Sequence, residues 1–150
     1  MISAFVDTSA LAKRYLAEAG SAEFDAWFVD AVPVTVSVLA TVELSSTLRK
    51  CERTGRLTGS QVADTEAVFA RDMDDGCIVV VDLPTSAFHV AKSLIASHSA
   101  YGLRTLDALQ LASALAVGAT TFVTADKNLA SAAAASGLQI LAFGHGSASS

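Results

Sequence analysis

The sequence predicts an α/β domain built on a five-stranded parallel sheet with helices on both faces, and three observations predict it. Short apolar runs rich in Val, Ile and Phe alternate five times with stretches of helical spacing, the pattern of repeated strand–helix units. The runs are bounded by Gly, Pro, Ser, Thr or Asp, residues that stop strands and cap helices. No internal repeat or linker divides residues 1–143, so they form one domain, and the small residues of 144–150 predict a mobile C-terminal tail.

Ile2-Ser3-Ala4-Phe5-Val6 is the first strand, and Ala10 to Leu16 has helical spacing, so Asp7 or Thr8 stands at that helix's cap. Ser21 opens a second helix whose Phe24, Trp27 and Phe28 share one face, a core surface or, if exposed, a surface for a partner or a second copy. Pro33-Val34-Thr35-Val36 is the second strand, Pro being tolerated at a strand's first residue. Ser37 caps a long helix to about Thr54, which Gly55 ends. Thr58 or Ser60 begins the next, with Val62, Val68 and Phe69 inward and a solvated acidic exit at Asp72, Asp74 and Asp75.

Cys77-Ile78-Val79-Val80-Val81 is apolar throughout, which predicts a strand covered on both faces. Asp82 and Pro84 start a helix with Phe88, Ala91, Leu94 and Ile95 as its buried stripe and His89 packed along it. Apolar residues at 103, 106, 109, 111, 112 and 115 mark a largely buried helix that stops at Gly118. The fourth strand is Thr121-Phe122-Val123-Thr124, followed by an Ala-rich helix from about Lys127 to Ser136 and a fifth strand, Leu138 to Leu141.

A hydrophobic fraction of 52% against 17% charged leaves little room for long disordered segments. The net charge of -5 gives no global attraction to a polyanion, so any nucleic-acid contact must come from a local basic patch. Cys51 and Cys77 have no partner at metal spacing and read as free thiols. Nothing at the N-terminus resembles a signal peptide and no run suits a membrane span, so a cytoplasmic protein is expected.

Four acids carry the functional reading. Ligands of open parallel sheets bind beyond the carboxyl ends of the strands, where the strand order reverses. Asp7 directly follows the first strand and Asp126 lies two residues past the fourth, so both flank one crevice if those strands are neighbours. Asp107 stands early on a buried helix, where a carboxylate is costly, and Glu43 lies near the second turn of the helix after strand two. Each alone has a structural explanation: Asp7 and Asp126 as helix caps, Asp107 as a dipole partner, Glu43 as a solvated helix position. Independent caps have no reason to gather at one sheet edge. Carboxylates about 5 Å apart repel by roughly 3 kcal/mol per pair at an effective dielectric near 20, so a cation must offset them. Oxygen-only ligation suits Mg²⁺ or Mn²⁺, whose chemistry here is phosphodiester hydrolysis.

At these residues the chain resembles PIN-domain ribonucleases, and more narrowly the VapC toxins of bacterial type II toxin–antitoxin pairs. The matching stretches are Phe5-Val6-Asp7-Thr8-Ser9-Ala10-Leu11-Ala12-Lys13-Arg14-Tyr15, Val42-Glu43-Leu44, Leu103 to Ala112 around Asp107, and Phe122-Val123-Thr124-Ala125-Asp126-Lys127-Asn128-Leu129. The resemblance implies a PIN-like three-layer α/β/α fold with strand order 3-2-1-4-5, placing strands one and four side by side. It implies a Mg²⁺- or Mn²⁺-dependent endoribonuclease that cleaves structured RNA, with Asp7, Glu43, Asp107 and Asp126 as the acidic metal site and Thr124 in a supporting hydrogen bond. It also implies inhibition by a VapB-type antitoxin whose tail reaches the site, and a homodimer. A fifth acid of some members is Asn128 or absent here.

Arg49, Arg53 and Arg56 recur on one face of the helix carrying Glu43, a patch for RNA phosphates, a solvated face, or a seat for an acidic partner segment. Lys13, Arg14, Arg104 and Lys127 lie a few residues from site acids and are candidate phosphate contacts. A rival class is a receiver-like phospho-acceptor domain, with Asp82 after strand three accepting phosphoryl and Lys127 steadying it. Such a site needs adjacent acids after strand one, and Asp7 is followed by Thr8 and Ser9. A catalytically silent RNA- or protein-binding module is the third reading.

Overall fold

A computed structural model describes residues 3–144. Five short strands, β1 (Ala4–Val6), β2 (Val34–Ser37), β3 (Ile78–Val81), β4 (Thr121–Thr124) and β5 (Gln139–Ala142), form one all-parallel sheet in the order β3-β2-β1-β4-β5. Seven helices connect or flank them: α1 (Thr8–Tyr15), α2 (Ser21–Ala31), α3 (Leu39–Arg53), α4 (Gly59–Asp74), α5 (Thr85–Ser97), α6 (Thr105–Ala116) and α7 (Lys127–Ala135). Parallel neighbours need a crossover, and helices supply it here.

Alternation along the central strands sorts the core into two layers. Ala4 and Val6 face the side covered by α1 to α4, where Leu11, Phe24, Phe28, Leu44, Leu48 and Val62 are buried. Phe5 points to the other side, toward α5, α6 and α7. In register beside it is Phe122 of β4, and the two rings stack at 5.9 Å. β1 and β4 are therefore the centre of the sheet, which matters because Asp7 follows the first directly and Asp126 lies two residues past the second.

Several local expectations are corrected by this layering. β3 lies at the sheet edge with β2 as its one neighbour, so Val79 is 45% exposed; a run of β-branched residues has no period that tells an edge from a centre. Val68, Phe88, Ile95 and Leu106 are exposed, and so is His89; α4 and α5 bury a narrower stripe, Val62 with Phe69 and Ala87 with Ala91 and Leu94. Pro33 precedes β2, and the N-cap of α3 is Val38, although the Ser37 hydroxyl accepts the Leu39 N–H at 3.2 Å. Thr58 caps α4 in a reciprocal capping box with Gln61. Gly144 is the first residue assigned to the tail, yet it lies against the turn before α2. A Cβ on Gly20 would come 2.9 Å from the Gly144 Cα, so this crossing admits no side chain and seats Phe143 on Phe24 and Trp27. The rest of the expected tail, 145–150, falls outside the described residues. Among the described residues no helix is long and apolar enough to cross a membrane.

The largest correction concerns Asp72, read as solvated and found buried. Arg14 donates to it from Nε (2.7 Å) and Nη2 (3.0 Å), and the Tyr15 hydroxyl donates at 2.6 Å, tying the end of α1 to α4. The guanidinium also lies 4.3 Å over the Phe28 ring. Burial opposes ionisation of Asp72, but these donors prevail and hold its carboxyl below the usual range. Arg14 is thus committed to the fold. Arg14→Ala is expected to lower unfolding free energy by about 2–3 kcal/mol, since it strands a buried carboxylate. Urea denaturation checks this, and an unchanged midpoint would return Arg14 to the candidate phosphate contacts.

Candidate active site

The chain leaves β1 at Val6, and Asp7 caps α1 with extended backbone, its Oδ1 accepting the Ala10 N–H at 3.0 Å. Ser9 adds a second donor to Oδ1 at 2.7 Å, and the Thr124 hydroxyl donates to Oδ2 at 2.8 Å. Thr124 ends β4, and its Oγ1 in turn accepts the Asp126 N–H at 3.0 Å, while Asp126 Oδ1 caps α7 through the Leu129 N–H at 2.9 Å. The Ser9 oxygen accepts the Ala125 N–H at 2.9 Å. Two βα turns from adjacent strands are thereby stitched together, with Asp7 and Asp126 on opposite sides of the seam.

Glu43 and Asp107 approach from the helices. Glu43, on α3, accepts at Oε1 from the Thr8 hydroxyl (2.9 Å) and from the Gln110 amide (2.7 Å). Asp107 lies half-buried in the first turn of α6, where the helix dipole favours an anion. Gln110 follows one turn later on the same face, the spacing that would have marked it as a companion of Asp107. Sequence reasoning passed over Thr8, Ser9 and Gln110 because each is an ordinary polar residue until the chain brings it to an acid.

The electrostatics show which acids feel one another. Burial pushes the Asp7 carboxyl up to about 7 against the opposing hydrogen bonds from Ser9, Ala10 and Thr124, and the Asp126 charge adds to the rise. The Asp107 carboxyl is also raised, first by burial, then by the Asp126 charge and, more weakly, by that of Glu43, with Arg104 opposing. Among the described residues none of the four acids forms an ion pair with Lys, Arg or His; such pairs lie elsewhere.

Among the described residues no three His, Cys, Asp or Glu side chains are drawn close enough to form a ready-made ion cage. The donor set nevertheless fits a hard divalent cation. It is carboxylates and hydroxyls without thiolate or imidazole, and Mg²⁺ needs only one or two carboxylates because it keeps several waters and takes further oxygens from phosphates. A cleft of about 640 Å³ is lined by Glu43 and by neighbours of the other three acids, Thr8 and Ser9 after Asp7, Leu106 before Asp107 and Ala125 before Asp126.

The basic candidates divide. Lys13 is buried, bonded to the Ala19 carbonyl at 2.5 Å and Glu18 at 3.3 Å, and it lines the cleft. Arg14 belongs to the Asp72 clamp. Arg49 is exposed and pairs with Glu52 and Glu66, which neutralises part of the basic face of α3, and Arg56, beyond the end of that helix, donates to the Ala17 carbonyl. Arg53 and Arg104 are exposed. Asp82 follows edge strand β3, three strand positions from β4 and hence roughly 14 Å from the start of α7, where Lys127 stands. The receiver-like pairing of those two residues is therefore not assembled.

Fold and site together define an open parallel α/β domain with an acidic crevice where its two central strands diverge. The chain belongs to the PIN-domain family, whose model matches residues 4–135. Among solved structures it is similar to VapC20 of Mycobacterium tuberculosis, a toxin that cleaves the sarcin-ricin loop, at 18% identity and a TM-score of 0.69 over 87% of this chain and 95% of that one. It is likewise similar to VapBC2 of Rickettsia felis bound to a promoter DNA fragment (15% identity, TM-score 0.68, 95% and 99% covered). A third is PAE2754 of Pyrobaculum aerophilum (20% identity, TM-score 0.67, 93% and 83% covered). No curated protein matches the chain.

Proposed function

We propose that the protein is a Mg²⁺- or Mn²⁺-dependent endoribonuclease, the toxin of a toxin–antitoxin pair, acting on structured RNA in the cytoplasm. The observation that carries this reading is the charge coupling among four acids, none of them in an ion pair among the described residues: Asp126 raises both Asp7 and Asp107, and Glu43 raises Asp107. Their mutual repulsion favours a bound cation, and the neighbours' names point the same way.

In this reading Asp7, Asp126, Asp107 and Glu43 would hold the cation. The ion, when bound, lowers the pKa of a coordinated water and neutralises charge that builds on the phosphate. The protein's own groups do the positioning. Thr124 and Ser9 fix the Asp7 carboxylate by donating to both its oxygens. Lys13, at the cleft wall, is held by the Ala19 carbonyl and Glu18, and Arg104 offers a guanidinium beside Asp107 to the RNA backbone. Arg104→Ala is expected to weaken RNA binding and to reduce the salt dependence of log Kd by about one, with no change in fold. Filter binding across a salt series checks it, and an unchanged slope would remove Arg104 from the contact surface.

The antitoxin is assigned to the cleft, whose rim carries the exposed Val42 and Leu106, and a second copy of the chain is assigned to the exposed face of α5 around Phe88 and Ile95. The purified protein with a stem–loop RNA in Mg²⁺, in Mn²⁺ and in chelator tests the reading. Cleavage with either ion and none in chelator is expected. Cleavage that persists in chelator would overturn it, as would intact RNA at every ion concentration.

A further inference from the structure

We infer that Gln110 is a positioning residue for Glu43: its buried amide on α6 pins one oxygen of that carboxylate and leaves the other to face the crevice. Gln110 is 2% exposed on a helix otherwise buried through Leu, Ala and Ser113. Its Nε2 donates to Glu43 Oε1 at 2.7 Å and to Thr8 Oγ1 at 3.0 Å, and the Thr8 hydroxyl donates to the same Glu43 oxygen at 2.9 Å. One carboxylate oxygen thus receives two donors, from two other helices. Glu43 Oε2 has no hydrogen bond among the described residues, and Glu43 lines the cleft.

The other end of the same side chain carries the argument further. Gln110 Oε1 is buried with no hydrogen-bond partner among the described residues. A buried carbonyl without a donor costs stability that a Met or Leu of similar size would not incur. Turning the amide over would set its oxygen against Glu43 Oε1 and Thr8 Oγ1, exchanging a donor for an acceptor beside a carboxylate, so the network fixes the orientation. A purely structural role gives no reason for this residue. A donor that must meet Glu43 does, and α6 thereby sets Asp107 and Glu43 from one rigid element. Residues that orient ligating carboxylates commonly change metal affinity or activity 10–100-fold when removed.

The inference rests on the cation-dependent reading of the acids, and the test separates the two. Mn²⁺ binding is measured by calorimetry for the wild type, Gln110→Met, Gln110→Leu, Glu43→Gln and the double variant Glu43→Gln/Gln110→Met, each with its Tm in chelator. The expected result is Mn²⁺ affinity about tenfold weaker in Gln110→Met, with Tm in chelator within about 4 °C of wild type. The double variant should bind no more weakly than Glu43→Gln alone, because Gln110 acts through Glu43. Wild-type affinity in Gln110→Met, or additive losses in the double variant, would overturn the positioning role while leaving the metal site intact. Loss of the fold in both Gln110→Met and Gln110→Leu would overturn it too, since the side chain would then hold helices and not a carboxylate. Absence of Mn²⁺ binding by the wild type would instead overturn the reading on which it rests.

Discussion

Asp7→Asn is expected to lower Mg²⁺-dependent RNA cleavage by about 10³-fold or more while leaving the fold intact. The substitution is nearly isosteric and keeps the local hydrogen bonds. An Asn oxygen can still accept the Ala10 N–H that caps α1 and the Ser9 hydroxyl, and its amide can face Thr124 Oγ1. What disappears is the negative charge at the carboxyl end of β1, the one site acid held at both oxygens by neighbours. Losing a fixed charge aimed at the reacting centre of a low-dielectric site typically costs 10²–10³-fold, and a ligand that holds the ion costs at least the upper end. The measurement is initial-rate cleavage of a stem–loop RNA at saturating Mg²⁺, with circular dichroism as the control on folding. A loss of less than about tenfold in a folded variant would mean that Asp7 only caps α1.

Asp7 also shows how much of the site was legible from sequence. A strand run that ends in Asp, and a second that ends two residues before another, place both acids at strand ends without any coordinates. The strand order that makes β1 and β4 neighbours came from family resemblance and is met in the structure. The hydroxyl and amide lattice among them, Ser9 to Ala125, Thr124 to Asp7 and Gln110 to Glu43, links residues 67 to 117 positions apart, and spacing along the chain carries no trace of such pairs.

Asp72 failed in the opposite direction. Three acids at a helix end look solvated, and only the arrival of Arg14 and Tyr15 from α1, 58 and 57 residues away, buries one of them. The misplaced exposures on α4 and α5 have a single cause. Phe88, Ile95 and Val68 satisfy helical periodicity, but periodicity gives a face and not its width, and α4 and α5 lie on outer layers that cover only part of it. Where both faces were covered, as along β1, β4 and the middle of α6, the apolar pattern and the burial agree, whereas Leu106, in the first turn of α6, stays exposed at the cleft.

The second large effect is thermodynamic and runs against the first. In the metal-free protein the Asp7 carboxyl is pushed from 3.8 to about 7, chiefly by burial. Between those values the folded chain holds a proton that the unfolded chain has released, so this residue's stabilising contribution is full below pH 4 and is lost as pH rises to about 7. A shift of that size corresponds to about 4 kcal/mol at 1.36 kcal/mol per pH unit. Asp72 titrates in the opposite sense but below 3.8, so it does not mask the effect above pH 5. Wild-type Tm in chelator is therefore expected to fall from pH 5 to pH 7.5, the Asp7→Asn variant to lack most of that fall, and the variant to melt higher at pH 7.5 by about 10 °C. Saturating Mg²⁺ should raise the wild-type Tm most at the upper end of the range, because the ion binds the ionised carboxylate, and should do little to the variant. Calorimetry in matched buffers, with and without chelator, reads all of these. Parallel curves for the two proteins in chelator would place the Asp7 carboxylate in a compensated environment and remove the driving force for cation binding on which the proposed chemistry depends.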